Sequence, residues 1–185
     1  MHPLLERLHQ DHINLNRLLG LLEREAMLLE RGTNPDYYLM LDMLDYMRRY
    51  PDEIHHPCED VIFGAYLERF REGAETIENL RSEHKVLVED TQELRYCVER
   101  IVQGSICSRE DFQTALTAYL ARQREHLDRE EAEVFRRIDA ALQTEDWQRL
   151  EPRLPASTDP LFGGPVPERF ASLYAHLLAV TGHRV

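Results

Sequence analysis

Cysteine is scarce in this chain. Three thiols (Cys58, Cys97, Cys107) in 185 residues, none in a CxxC pair, exclude a disulfide scaffold and a thiolate metal site. The odd count fits a reducing compartment, so a cytoplasmic setting is expected. Basic residues are also short, at 22 Lys and Arg against 34 Asp and Glu. The formal net charge of -12 disfavours nucleic acid or an anionic membrane surface as a partner. No apolar run approaches the roughly 20 residues needed to span a bilayer. Glu6, His9, Gln10 and Asp11 interrupt the basic-then-apolar order of a signal peptide. Glycine is rare too, and 8 glycines beside 43% hydrophobic and 30% charged residues describe a helix-rich globule and not a disordered chain. The length fits one domain with a substantial core.

What is present is helical periodicity. Pro3 suits a first helical turn and Gly32 a stop; between them Leu5, Leu8, His12, Leu15, Leu19, Leu22, Ala26 and Leu29 alternate by three and four residues. Thr33-Asn34-Pro35-Asp36 reads as a turn into a second helix, with a kink or restart expected between Pro51 and Pro57 and an end near Gly73. A third helix over 75–103 repeats the first pattern through Ile77, Leu80, His84, Leu87, Thr91, Leu94, Val98 and Ile101. Ser108 and Asp111 make a capping box for a fourth, which carries Phe112, Leu116, Tyr119, His126, Glu130 and Val134 inward and fades near Gln143. The fold class is therefore all-α, an up-down-up-down four-helix bundle over 1–143. After Trp147 prolines and glycines crowd the chain, so 144–185 reads as a C-terminal extension whose short helix, from Glu168 to about Val180, packs Phe170, Leu173 and Leu177 on the bundle.

The chemistry concentrates in Ile54-His55-His56-Pro57-Cys58-Glu59-Asp60, where His55 and Glu59, like His56 and Asp60, stand four apart and so share a helix face. A second such pair is His126 and Glu130. The halves agree in register: His12 to His84 is 72 residues and His55 to His126 is 71. A single histidine on an apolar seam is ordinarily a satisfied core imidazole. Four of them with two glutamates at matched depths, and no Lys or Arg on the seams, pose a harder problem: unpartnered buried carboxylates cost several kcal/mol each. A pair of divalent metal ions solves it, since imidazole and carboxylate suit iron and a glutamate can bridge two ions.

Gln10-Asp11-His12, His55-His56-Pro57-Cys58-Glu59-Asp60, Ser82-Glu83-His84 and Glu125-His126-Leu127-Asp128-Arg129-Glu130-Glu131 resemble, in order, the four ligand segments of hemerythrin-like (HHE cation-binding) domains. The resemblance covers about residues 1–143. It implies a non-haem di-iron site with His12, His55, His84 and His126 as terminal ligands and Glu59 and Glu130 as bridges. It also implies binding of, or reaction with, a small molecule (dioxygen, peroxide or nitric oxide) in sensing, detoxification or iron handling. Oxygen-carrying relatives have another histidine four residues after the third-helix one. Here that place is Val88, so six ligands and more open coordination are expected.

Several assignments stay open. His56 with Asp60 is the alternative to His55 with Glu59, turned about 100° on an ideal helix, and Glu131 is the rival of Glu130. His9, His2, His176 and His183 read as solvated, Cys58 as turned away from the site, and Tyr46, Tyr66 and Tyr119 as lining the interior. Two other functions compete. A ferritin-like di-iron carboxylate protein would use ExxH pairs, which Glu6–His9 and Glu53–His56 supply but the later helices lack. A metal-free acidic adaptor would bind a protein partner through its surface. No protein partner, electron donor or enzymatic reaction is legible.

Overall fold

Helices begin and end where the sequence carries its punctuation. In the computed structural model, which describes residues 1–105, 107–155 and 158–181, all regular structure among the described residues is helical. Helix α1 spans Pro3–Glu30, with Pro3 in its first turn and the His2 side chain accepting from the Leu4 N–H at 3.3 Å. Gly32, at φ 80°, closes it by donating to the Leu29 carbonyl. The side chain of Asp36 caps α2, Tyr37–Arg49, by accepting from Leu39 N–H.

The restart expected between the two prolines is a π-helical turn, Pro51–His55, leading directly into α3, His56–Arg69. Pro51 and Pro57 both lack an N–H, so the normal ladder cannot run through this stretch. The N–H of His56 reaches back five residues to the Pro51 carbonyl instead. Helix α4, Ala74–Val102, starts after Gly73 in the left-handed region and ends just before Gly104, another positive-φ glycine. Ser108 caps α5, Arg109–Arg129, by accepting from the Asp111 N–H. The fourth long rod then passes through a second π turn, Glu130–Phe135, and finishes as α6, Arg136–Ala141. The short helix α7, Thr144–Leu150, was not expected from the composition, and α8, Ala171–Thr181, closes the described chain.

Helix α1 packs on α2 and α5, and α4 packs on α2, α3 and α5; α7 lies on α3, and α8 on α1 and α2. The apolar core divides into two clusters. One gathers Leu15 to Leu29 of α1 with α2, the second half of α4, α5 and α8. The other gathers Leu5 and Leu8 with α3, the start of α4, Val134, Phe135 and Trp147. Each fully buried Leu or Phe contributes about 1.5–3 kcal/mol, so both ends of the molecule are held independently of the layer between them. That layer is polar, and it contains the histidines.

Candidate metal centre

All four seam and pair histidines, with Glu59 and Glu130, arrive in the middle layer. Both glutamates are 0% exposed, and His12, His55, His84 and His126 are at most 4% exposed. His56 is there as well, 3% exposed. The choice between His55 and His56 thus dissolves, because both reach the site. Residues adjacent on a helix diverge by about 100°, and here each finds a different neighbour. His55 turns toward α1, with its Nε2 3.0 Å from His12 Nε2. His56 turns toward α4 and α5, its ring stacked 4.5 Å from His84 and edge-on 5.8 Å from His126.

The donor atoms fall into three sets that each lie within a metal's reach: His12, His55 and Glu59; His56, His84 and His126; and Glu59, His84 and Glu130. The glutamates straddle them. Glu59 Oε1 is 3.3 Å from both His12 Nε2 and His55 Nε2, while its Oε2 is 3.6 Å from His84 Nε2. Glu130 Oε2 is 3.4 Å from His12 Nε2, and its Oε1 is 3.3 Å from His84 Nε2 and from His126 Nε2. Of these approaches only His84 Nε2 to Glu130 Oε1 is aligned as a hydrogen bond. Both oxygens of Glu59, Glu130 Oε2 and His126 Nε2 are buried with no aligned partner among the described residues. Such orphans are costly in a finished core. Nitrogens and oxygens that crowd common points and leave several of their number unsatisfied are arranged as ligands are, so the donor set fits metal cations.

A second ring of carboxylates holds the outer nitrogen of four of the five imidazoles, and His56 Nδ1 has no hydrogen bond among the described residues. His55 Nδ1 donates to Asp11 at 3.1 Å and His126 Nδ1 to Glu83 at 3.1 Å. His12 Nδ1 donates to Glu131 at 2.8 Å, and His84 Nδ1 to Asp60 at 3.2 Å. His56 Nδ1 faces Asp52 at a longer 3.7 Å. The residue before each seam histidine thus serves the other histidine of its own half, and the residue after each straddling glutamate serves the seam histidine of the other half. A carboxylate on Nδ1 keeps the proton there and leaves the inner Nε2 lone pair free for a metal. This reassigns two residues: Asp60 and Glu131, weighed above as rival ligands, stand behind His84 and His12.

The electrostatics of the protein alone tell the same story. Burial would push the His12 imidazole down, yet Glu131 and Glu59 lift it to about 9. Burial is likewise overcome at His55 by Glu59 and Asp11, and at His84 by Asp60 and Glu130, raising each to about 10. Glu130 is held at about 2 despite burial and the nearby Glu59 charge, because His126 and His84 stand against it. Only His56 falls below the ordinary histidine range, through burial and the neighbouring imidazole of His84. The layer requires positive charge next to its two glutamates, and protons or metal ions both provide it.

Other sequence-predicted residues lie elsewhere. Cys58 is buried against Arg7, whose Nη2 donates to its Sγ at 3.3 Å. His9 donates to Glu131 and is not simply solvated. His2 stacks on Trp147, His176 is exposed and bonded to the Ser172 carbonyl, and His183 lies outside the described residues. Tyr46, Tyr66 and Tyr119 bond Asp159, the Glu72 carbonyl and Thr91, so none hydrogen-bonds a candidate ligand. Tyr50 was missed, and its hydroxyl donates to Asp11 behind His55. Glu6 and Glu53 are exposed, which removes the carboxylates an ExxH ferritin-like site needs. Beside the six residues expected from the sequence, with Val88 in place of a seventh, α3 brings a further buried imidazole, His56.

Against known proteins, residues 4–138 match the hemerythrin HHE cation binding domain family. No curated protein and no solved structure matches the chain.

Proposed function

Because the chain belongs to the hemerythrin HHE cation-binding domain family, we propose that it is a non-haem di-iron protein. In this reading His12, His55, His56, His84 and His126, with Glu59 and Glu130 between them, would hold the iron. The observation that carries it is the pair of straddling glutamates, each with one oxygen toward His12 and the other toward His84. Iron, when bound, supplies redox chemistry and coordination for a small molecule, and dioxygen, peroxide and nitric oxide are the ligands we assign, in sensing, detoxification or iron handling.

The protein's own part is positional. Four carboxylates orient four of the imidazoles, and two apolar clusters above and below keep bulk water from the layer. We read 1–143 as an up-down-up-down bundle that builds the site and 144–185 as an extension packed on it. A cytoplasmic setting accords with three unpaired cysteines. No helix is long and apolar enough to cross a membrane.

The deciding experiment is metal analysis of protein expressed with iron. We expect about two iron ions per chain and a ligand-to-metal charge-transfer absorption. Less than one equivalent of any transition metal after both aerobic and anaerobic preparation overturns the reading. Zinc or manganese at full occupancy would keep the site and replace the chemistry.

A further inference from the structure

We propose that a cleft between the end of α3 and α6 binds the phosphoryl group of a small organic phosphate. The cleft has a volume of about 810 Å³, within the roughly 300–1,000 Å³ of small-molecule sites. Four arginines line it (Arg69, Arg71, Arg136 and Arg137) against two glutamates, on a chain whose net charge is -12. A local excess of positive charge on so acidic a protein focuses anions to one place.

The arginines divide by how they are held. Arg69 pairs with Asp146 and lies over the Phe70 ring at 5.2 Å. The Arg137 guanidinium lies over Gly73, which is at φ 70°, in space that a side chain there would take. Its one ion pair is a loose 3.9 Å contact to Glu72, which is 85% exposed and therefore weak. The side chains of Arg71 and Arg136 have neither an ion pair nor a hydrogen bond among the described residues. Arg69 is thus held in position, Arg137 is loosely paired, and two guanidiniums are free to close on a ligand. Their planar forks match phosphoryl oxygens two at a time.

The floor is also built. Tyr66 and Phe70 stack at 5.0 Å, and the Tyr66 hydroxyl donates to the Glu72 carbonyl at 2.8 Å, tying down the turn that carries Arg71. Ala132, Ala140 and Ala141 also line the cleft, and their small side chains leave room beside the arginines. None of these residues belongs to the metal layer, so this site stands or falls independently of iron.

The test is calorimetric titration of the iron-loaded full chain with ADP at low ionic strength, with adenosine as the phosphate-free control. We expect saturable binding of ADP and none of adenosine. Arg71→Ala/Arg136→Ala should weaken ADP at least about tenfold. Arg17→Ala/Arg24→Ala, which removes the same charge from the exposed side of α1, should leave it unchanged. Absence of saturable ADP binding, equal binding of adenosine, or equal weakening by both double variants overturns the proposal. Iron content measured after the titration must be unchanged; iron lost to ADP would mean that the heat reports chelation, and would overturn it too.

Discussion

The two halves of the bundle solve one problem in nearly the same way and differ at one point. Shifting the first pair of helices by 71 or 72 residues superposes Asp11-His12 on Glu83-His84, His55 on His126, and Glu59-Asp60 on Glu130-Glu131. All ten occupy matching roles: a seam histidine, a paired histidine, a straddling glutamate, and carboxylates behind the imidazoles. The same shift carries His56 onto Leu127 and Asp52 onto Gln123. Leu127 joins the apolar cluster, and Gln123 is buried with an unpartnered Nε2. The first half therefore gives three imidazoles and the second two. A near-symmetric pocket can be made chemically lopsided by one buried residue and the carboxylate behind it.

The comparison breaks most completely if the shared element is removed. Glu59→Ala and Glu130→Ala should each lose at least one iron and lower the melting temperature of loaded protein, because ligand binding to the native state adds RT ln(1 + [L]/Kd) to its stability. Glu59→Gln, which keeps the volume, checks that the loss comes from charge and not from a cavity. Full iron content in either alanine variant would show that the straddling geometry does not bridge.

Next in size is the point of difference. His56→Leu makes the first half resemble the second and should halve the iron content, with the loss falling on the three-histidine position. Adding Val88→His to it places an imidazole one turn beyond His84 on α4 and should restore part of the second ion. Undiminished iron in His56→Leu alone, by elemental analysis, would return the site to six ligands.

A smaller effect separates buried from exposed supports. Asp11 is 6% exposed at its side chain and also receives Tyr50, whereas Asp60 is 39% exposed. Both replacements by Ala should weaken metal binding within the roughly 10–100-fold range of outer-shell changes, Asp11→Ala toward the upper end. Equal affinities in competition with a chelator would mean that burial of the support does not matter.

The smallest concerns only the first half, which the C-terminal segment covers. Tyr46→Phe removes a buried hydroxyl donated to Asp159. Asp159 still accepts from the Leu161 and Phe162 N–H groups, so a loss of about 1 kcal/mol in denaturant unfolding is expected, with iron content unchanged.

The six residues His12, His55, Glu59, His84, His126 and Glu130 were legible because helical spacing converts directly into a shared face, and all six lie in one layer. His56 was legible only as a rival. On an isolated helix two adjacent residues cannot share an inward face, but a helix with neighbours on two sides has an inward sector wide enough for both. Asp60 and Glu131 were read as alternative ligands for the same reason that they were noticed at all, their nearness to the straddling glutamates. That they stand behind histidines of the opposite half depends on which helix lies across the layer.

Local chemistry therefore determined the helices, their caps, the π turn between Pro51 and Pro57 and the depth of each ligand, since these follow from missing N–H groups, positive-φ glycines and a period of 3.6 residues. The second π turn, Glu130–Phe135, has no proline or glycine to announce it. It belongs, with the pairing of carboxylates to imidazoles and the recruitment of His56, to what only the tertiary structure decided. The physical reason is common to all three: a buried polar atom is satisfied by whatever the neighbouring helix presents, and no periodicity within one helix can say which neighbour that is.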